Sequence, residues 1–234
     1  MNFNAKLSKF WVSMFEKGAY RRVLTGLKNT VIIAVLGLVI GIVIGTLIAV
    51  IRVVPKTNKL VKALDKIAAV YVAFFRGTPM VAQLLIGYFV LLPLLGIKLS
   101  SLAVCVLIFG LNSGAYVSEI MRSGLLSVDI GQTEAGRALG LSFASTMLRI
   151  VVPQAVKNIL PTIGNEFITL IKETSIVSFV GAVDLYSAFN YIGSANYEFM
   201  VPYLSMALIY IVLVLGISGL IRIMERRLRA GDKR

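Results

Sequence analysis

The sequence predicts an all-α polytopic membrane protein with five transmembrane helices, and composition, hydropathy and the layout of the charges lead there. Of its 234 residues, 58% are hydrophobic and 15% charged, against about half and about a quarter in ordinary soluble domains. The mean hydropathy is +0.87. Five spans of about 20 residues would use roughly 100 residues. The remainder is divided among loops and termini and leaves too little chain in any one place for a separate soluble domain of typical size, so residues 1–234 read as one transmembrane domain. The net charge of +13 would suit a nucleic-acid binder, but the basic residues flank apolar runs rather than forming a soluble face.

Each element follows from the chain in order. Residues 1–28 mix Phe10, Trp11, Val12, Met14 and Phe15 with Lys6, Lys9, Lys17, Arg21 and Arg22. Without a continuous apolar run, this is an interfacial amphipathic segment rather than a signal peptide. The first span covers about residues 29–51 and ends at Arg52, Lys56, Lys59, Lys62 and Lys66, a stop-transfer pattern. Within it Gly37, Gly41 and Gly45 form a repeated GxxxG ridge suited to close helix packing.

The second span, about 67–92, is interrupted by Arg76-Gly77-Thr78-Pro79, and Pro93 and Gly96 mark the turn after it. A third span lies at about 99–120. A polar loop with helices of its own covers 121–157. The fourth span, about 158–183, carries Glu166, Lys172 and Glu173. Residues 184–198 read as a loop, and the fifth span at about 199–221 leads into a basic tail that includes Lys233 and Arg234.

Charge chooses the orientation. With the N-terminus outside, 15 of the 24 basic residues are cytoplasmic, seven are outside, and Arg76 and Lys172 are intramembrane. The positive-inside rule therefore favours N-out/C-in. The basic N-terminal segment opposes this unless it lies along a headgroup layer.

Several chemistries are excluded. There is no histidine and a single cysteine, Cys105, so an intrachain disulfide, a Cys/His zinc site and histidine-assisted nucleophilic catalysis are ruled out. No metal site is expected. No GxxxxGK[ST] loop occurs, so this chain does not bind and hydrolyse ATP by the P-loop route.

Certain polar residues stand out against the apolar background. Arg76 lies within a span, where a charge is expensive, so it faces protein or water or else snorkels to a headgroup. Gly77 and Pro79 around Thr78 free backbone N–H and C=O groups, which survive in a membrane only where buried in protein or lining a cavity. Asn112, Tyr116 and Glu119 form a stripe at i, i+4 and i+7, and Glu166, Thr169 and Glu173 form another at i, i+3 and i+7. Either stripe could hold the bundle together by interhelical hydrogen bonds or touch a transported molecule. For Glu119 and Arg122, structural pairing is the better reading.

The polar loop contains Glu134-Ala135-Gly136-Arg137-Ala138-Leu139-Gly140, then after nine intervening residues Ile150-Val151-Val152-Pro153. This resembles the signature of the membrane subunits of bacterial ABC importers, with Gly136 and Val152 as mild departures. Further strings match the same group in order and spacing: Phe75-Arg76-Gly77-Thr78-Pro79, Asn112-Ser113-Gly114-Ala115-Tyr116, Ser127-Val128-Asp129-Ile130-Gly131-Gln132 and Asn165-Glu166-Phe167-Ile168. From about residue 20 to 222 the chain resembles polar amino-acid permeases of the histidine/glutamine type.

That resemblance implies a subunit of the bacterial cell membrane that is not itself an enzyme. It implies two ATP-binding cassette ATPase partners that bind ATP and magnesium, a second permease copy or paralogue, and an extracytoplasmic substrate-binding protein. Glu134, Ala135, Gly136 and Gly140 would touch the ATPase from a coupling helix around 132–141. Arg76, Gly77, Thr78, Asn112, Ser113, Glu166 and Thr169 become candidates for substrate contact, with backbone groups near Gly77 and Thr78 meeting the α-carboxylate and α-amino group. Glu166 would either pair with Arg76 or meet the positive group of a polar or basic amino acid such as arginine, lysine, histidine or glutamine. A secondary transporter or channel would not need the 134–153 signature. An intramembrane enzyme built on Glu166 or Glu173 would lack a nucleophile–base set.

Overall fold

The computed structural model describes residues 2–230, and the tail residues Lys233 and Arg234 lie outside that range. Among the described residues every regular element is helical. A short helix α1, Phe3–Trp11, continues through a wider π-type turn at Val12–Glu16. Helix α2 is long, Tyr20–Val53. Helix α3, Lys59–Gly77, breaks before α4, Met80–Ile86, which extends through further turns to Leu94. Then come α5, Ser101–Leu126, and two short helices, α6 at Ile130–Ala138 and α7 at Phe143–Thr146. Helix α8, Val152–Glu173, passes into a 3-10 segment at Thr174–Val180. Helices α9, Leu185–Asn196, and α10, Met200–Arg229, complete the described chain.

Three of these, α2, α5 and α10, are long and apolar enough to cross a membrane, and α3 with α4 makes a fourth as one pair bent by 108°. Helix α8 is not among them: Gln154, Asn158 and Asn165 join Lys157, Glu166, Lys172 and Glu173 in making it too polar.

Helix boundaries depart from the sequence reading at several points. The helix that carries the first span begins at Tyr20, ahead of residue 29, since Tyr20–Lys28 contains no proline and joins the apolar run without a break. The fourth element runs on from a wider π-type turn at Met147–Val151 into α8 at Val152, with Pro153 at its start and Pro161 in its interior, each lacking an N–H for the helical ladder. It gives up α-geometry at Thr174, well before residue 183. Residues 184–198, expected as a loop, form α9. Asp184 caps it by accepting from the Ser187 and Tyr186 N–H groups, each at 2.9 Å, while the Ser187 hydroxyl oxygen accepts from the Asp184 N–H at 3.0 Å. Leu185, Ala188, Phe189 and Ile192 then form one buried face at helical spacing.

The centre of the fold is the seam between α2 and α5. A Cβ added at Gly41 would lie 2.6 Å from the Ser113 Oγ, and one at Gly45 would lie 2.7 Å from Val117. Only glycine lets the two helices approach so closely. The contact is reciprocal, because Ile40 and Ile44 of α2 occupy the space in front of Gly110 and Gly114 of α5. Around this seam Ile33, Leu84, Phe109, Leu170 and Val177 pack as one buried cluster contributed by α2, α4, α5, α8 and the 3-10 segment.

At one end α1 is strapped to the bundle. Lys6 Nζ lies 3.1 Å from a carboxylate oxygen of Glu198, and Asn196 Nδ2 donates to Ser13 Oγ at 2.6 Å. Burial by itself pushes the Glu198 carboxyl up, but the Lys6 ammonium and the N–H groups of Val201 and Met200 outweigh it and hold the group below its ordinary value. A carboxyl with a depressed folded value contributes stability that is present above its unfolded value, about 4.3, and lost as the pH falls through the folded value. Trp11, the sole tryptophan, reports on α1. Its emission is expected to shift on acidification below about pH 4, and Glu198→Gln is expected to remove that transition. An unchanged acid transition in Glu198→Gln would contradict the strap.

Candidate functional site

The break between α3 and α4 is the first polar feature of the interior. Thr78 and Pro79 both adopt extended backbone, which turns the chain and leaves carbonyls of α3 without their helical donors. Gln83, buried one turn into α4, supplies the replacement. Its Nε2 lies 2.8 Å from the Phe75 carbonyl, 3.0 Å from the Thr78 carbonyl and 2.8 Å from Thr78 Oγ1. Asn112 of α5 donates to Gln83 Oε1 at 2.9 Å and so fixes the amide that repairs the break. Thr78 Oγ1 in turn donates to the Phe74 carbonyl at 2.8 Å. A Cβ at Gly77 would meet nothing within 4 Å, so open space adjoins the break.

The residue after Asn112 belongs to a second cluster. Ser113 Oγ donates to Glu166 Oε1 at 3.1 Å, and both side chains are buried. Glu166 has no ion-pair partner among the described residues. Consecutive positions on α5 thus serve the two clusters, one facing α4 and the other α8.

Arg76 goes elsewhere. A Glu166–Arg76 pair, one of the two readings of the sequence, is not formed. Arg76 lies 3.9 Å from Glu119 and 5.4 Å from the centre of the Tyr116 ring. Glu119 also takes Arg122 at 2.9 Å and Arg52. The expected Glu119–Arg122 pairing therefore holds, with two further guanidinium groups on the same carboxylate. A cavity of about 380 Å³ opens beside this network, lined by Arg76, Tyr116, Glu119, Ser123, Asn158 and Thr162. Of the seven candidate substrate residues, only Arg76 lines it. Thr169 lies one turn beyond Glu166, and its hydroxyl donates to the Asn165 carbonyl of its own helix at 3.1 Å.

The polar segment between α5 and α8 has a different character. Glu134, Ala135 and Gly140 are exposed, whereas Gly136 is buried against Thr146 of α7. Gly140 has φ 76°, the left-handed region that favours glycine, and it ends the turn after α6. Leu126, Ile130, Leu139 and Leu148 present bare apolar side chains around the same segment.

Sequence reasoning missed two residues here. Gln83 gave one faint signal, an amide in an apolar run five residues past a broken helix. Arg52 read only as a stop-transfer charge, and its carboxylate partner is 67 positions away.

Comparison with known proteins now decides the family. Residues 41–230 match the family model described as the binding-protein-dependent transport system inner membrane component. The chain belongs to this family. As a binding-protein-dependent transport component of the inner membrane, it resembles the arginine transport system permease protein ArtQ of Bacillus subtilis. That identity is 44% over 166 residues, covering 71% of this chain and 76% of the relative. A putative glutamine transport system permease protein of Rickettsia bellii is 40% identical over 205 residues, covering 88% and 90%.

Among solved structures, one described as an amino acid ABC transporter with histidines superposes with a TM-score of 0.83 at 38% identity, covering 93% of this chain and 98% of the other. The methionine ABC transporter in an inward-facing conformation gives 0.69 at 22% identity, covering 89% and 95%, a likeness of fold alone.

The break yields a prediction. Gln83→Leu removes the Gln83 amide from the half-buried Phe75 and Thr78 carbonyls and leaves Phe75 only the longer bond from Asn112 at 3.4 Å, a loss of about 1–3 kcal/mol in all. The melting midpoint in detergent should fall and uptake should be lost, with partial recovery in Gln83→Asn. Wild-type stability in Gln83→Leu would show that water, not Gln83, satisfies the break.

Proposed function

We propose that this chain is the membrane-spanning subunit of an ATP-driven importer of amino acids, with a preference for basic ones. Its membrane topology is five spans, N-out/C-in, with α3 and α4 together as the second and α8 as the fourth. Helix α6 is the coupling helix. Its exposed Glu134 and Ala135 enter a groove on an ATPase subunit, Gly136 fastens the helix to α7, and Gly140 supplies the left-handed turn. Two such ATPases bind ATP and magnesium. A second permease copy or paralogue completes the pathway, and an extracytoplasmic substrate-binding protein delivers the amino acid. The membership of the family and the names of its relatives support this assignment.

The single observation that carries the substrate class is Glu166. Among the described residues the buried Glu166 carboxyl is held by the Ser113 hydroxyl and pairs with no cation, and a carboxyl within a membrane is normally either protonated or paired with a positive charge. The α-ammonium or a guanidinium or ammonium side chain of the substrate supplies that charge. Backbone groups beside Gly77 and Thr78, with Asn112 and Ser113, meet the parts common to all amino acids. Arg76, drawn to Glu119, acts nearer the Tyr116 cavity, and Thr169 borders the Glu166 side.

Competition against labelled arginine uptake tests this reading. Lysine should compete well, glutamine weakly and glutamate least, and Glu166→Gln should reduce the preference for arginine over glutamine by roughly tenfold. Equal competition by glutamine and arginine in the wild type, or an unchanged preference in Glu166→Gln, would remove Glu166 from selectivity.

A further inference from the structure

A basic cleft lies apart from the features described so far, where the turn between α1 and α2 meets α9. It encloses about 310 Å³ and is lined by Ser13, Lys17, Arg21, Arg22, Tyr191 and Ala195 among others. None of its three cations forms an ion pair among the described residues. Glu16 is the one acidic residue in 1–28, and it lines a separate groove with Leu7 and Trp11. The cleft is therefore a concentration of positive charge without a counter-charge among the described residues.

Its side chains are ordered by aromatic contacts and hydrogen bonds. The Arg22 guanidinium stacks 4.6 Å from the centre of the Tyr191 ring, and Arg21 Nε donates to the Tyr20 hydroxyl at 3.4 Å. Ser13, buried at the back of the cleft, is held by Asn196. Guanidinium groups fixed in this way suit the oxygens of a phosphate, which accept paired N–H bonds.

The surroundings say where that phosphate comes from. Phe3, Leu7, Trp11 and Phe15, four residues apart in turn, form an exposed row along α1 and its final turn, each between 44% and 58% accessible. Tyr191, which lines the cleft, and Tyr20, bonded to Arg21, are both exposed. An apolar row beside aromatic and basic residues is the pattern of a segment lying in the headgroup layer of a bilayer. We propose that this cleft binds the phosphate headgroup of an anionic phospholipid, and that the lipid fastens α1 and α9 to the membrane surface. The inference depends on the membrane location of the chain and not on its substrate or its ATP coupling.

The test uses the full-length chain purified with its native partners in mixed micelles of phosphatidylglycerol and phosphatidylcholine. Native mass spectrometry counts the phosphatidylglycerol that stays bound. The wild type is expected to hold one such lipid per chain against excess phosphatidylcholine. The variant K17Q/R21Q/R22Q should need roughly tenfold more phosphatidylglycerol for half-occupancy, and Tyr191→Ala, which changes no charge, should weaken the site by a smaller factor. The control K59Q/K62Q/K66Q, on another surface, should bind as the wild type does. Excess inorganic phosphate should fail to displace the lipid.

Unchanged occupancy in K17Q/R21Q/R22Q, or an equal loss in the control, would overturn the site. Complete displacement by inorganic phosphate would make it a free-anion site instead. Normal lipid occupancy combined with a lost response to the substrate-binding protein would assign the cleft to a protein partner. Should the triple variant not fold, Arg22→Gln and Tyr191→Ala carry the same reading.

Discussion

The close approach of α2 and α5 is the constraint on which the rest depends. Helices in a bilayer gain little from hiding apolar surface, since lipid is as apolar as their own side chains, so packing at short range must hold them. Gly37, Gly41 and Gly45 on one helix, answered by Gly110 and Gly114 on the other, make that approach possible. The seam also fixes the rotation of α5. With Ser113 pressed against Gly41, Asn112 is directed to Gln83 and the break between α3 and α4, while the Ser113 hydroxyl reaches Glu166 on α8.

From that rotation follows the treatment of the exposed backbone. A helix bent by 108° between Gly77 and Met80 would be untenable in hydrocarbon if its carbonyls lacked donors. Gln83 and Asn112 answer them from inside the protein, and the space beside Gly77 stays open. The guanidinium groups of Arg52, Arg76 and Arg122 converge on Glu119. Glu166 stands apart from that network and has no ion-pair partner among the described residues.

Much of this was legible in residue patterns and some was not. The GxxxG ridge, the break at Thr78-Pro79 and the short helix ahead of Gly140 were each readable because a local rule of backbone geometry governs them. The signals of helix α9 were present too, since Asp184 and Ser187 form a capping box before the apolar face of Leu185, Ala188, Phe189 and Ile192, although the sequence reading makes the stretch a loop. Gln83 and Arg52 were out of reach because their roles depend on partners across a bend or on another helix. For the same reason Arg76 looked available to Glu166: spacing along the chain does not reveal that Glu119 is nearer.

The most direct test of ATP-driven amino-acid import is the ATPase activity of the complex reconstituted in liposomes with its substrate-binding protein, measured across a panel of amino acids. Arginine and lysine should stimulate hydrolysis most and drive uptake. Gly140→Leu should still insert and assemble, yet hydrolyse ATP without uptake, because a side chain at φ 76° is strained. Uptake that proceeds without any ATPase partner, or full coupling in Gly140→Leu together with no stimulation by any amino acid, would contradict the account.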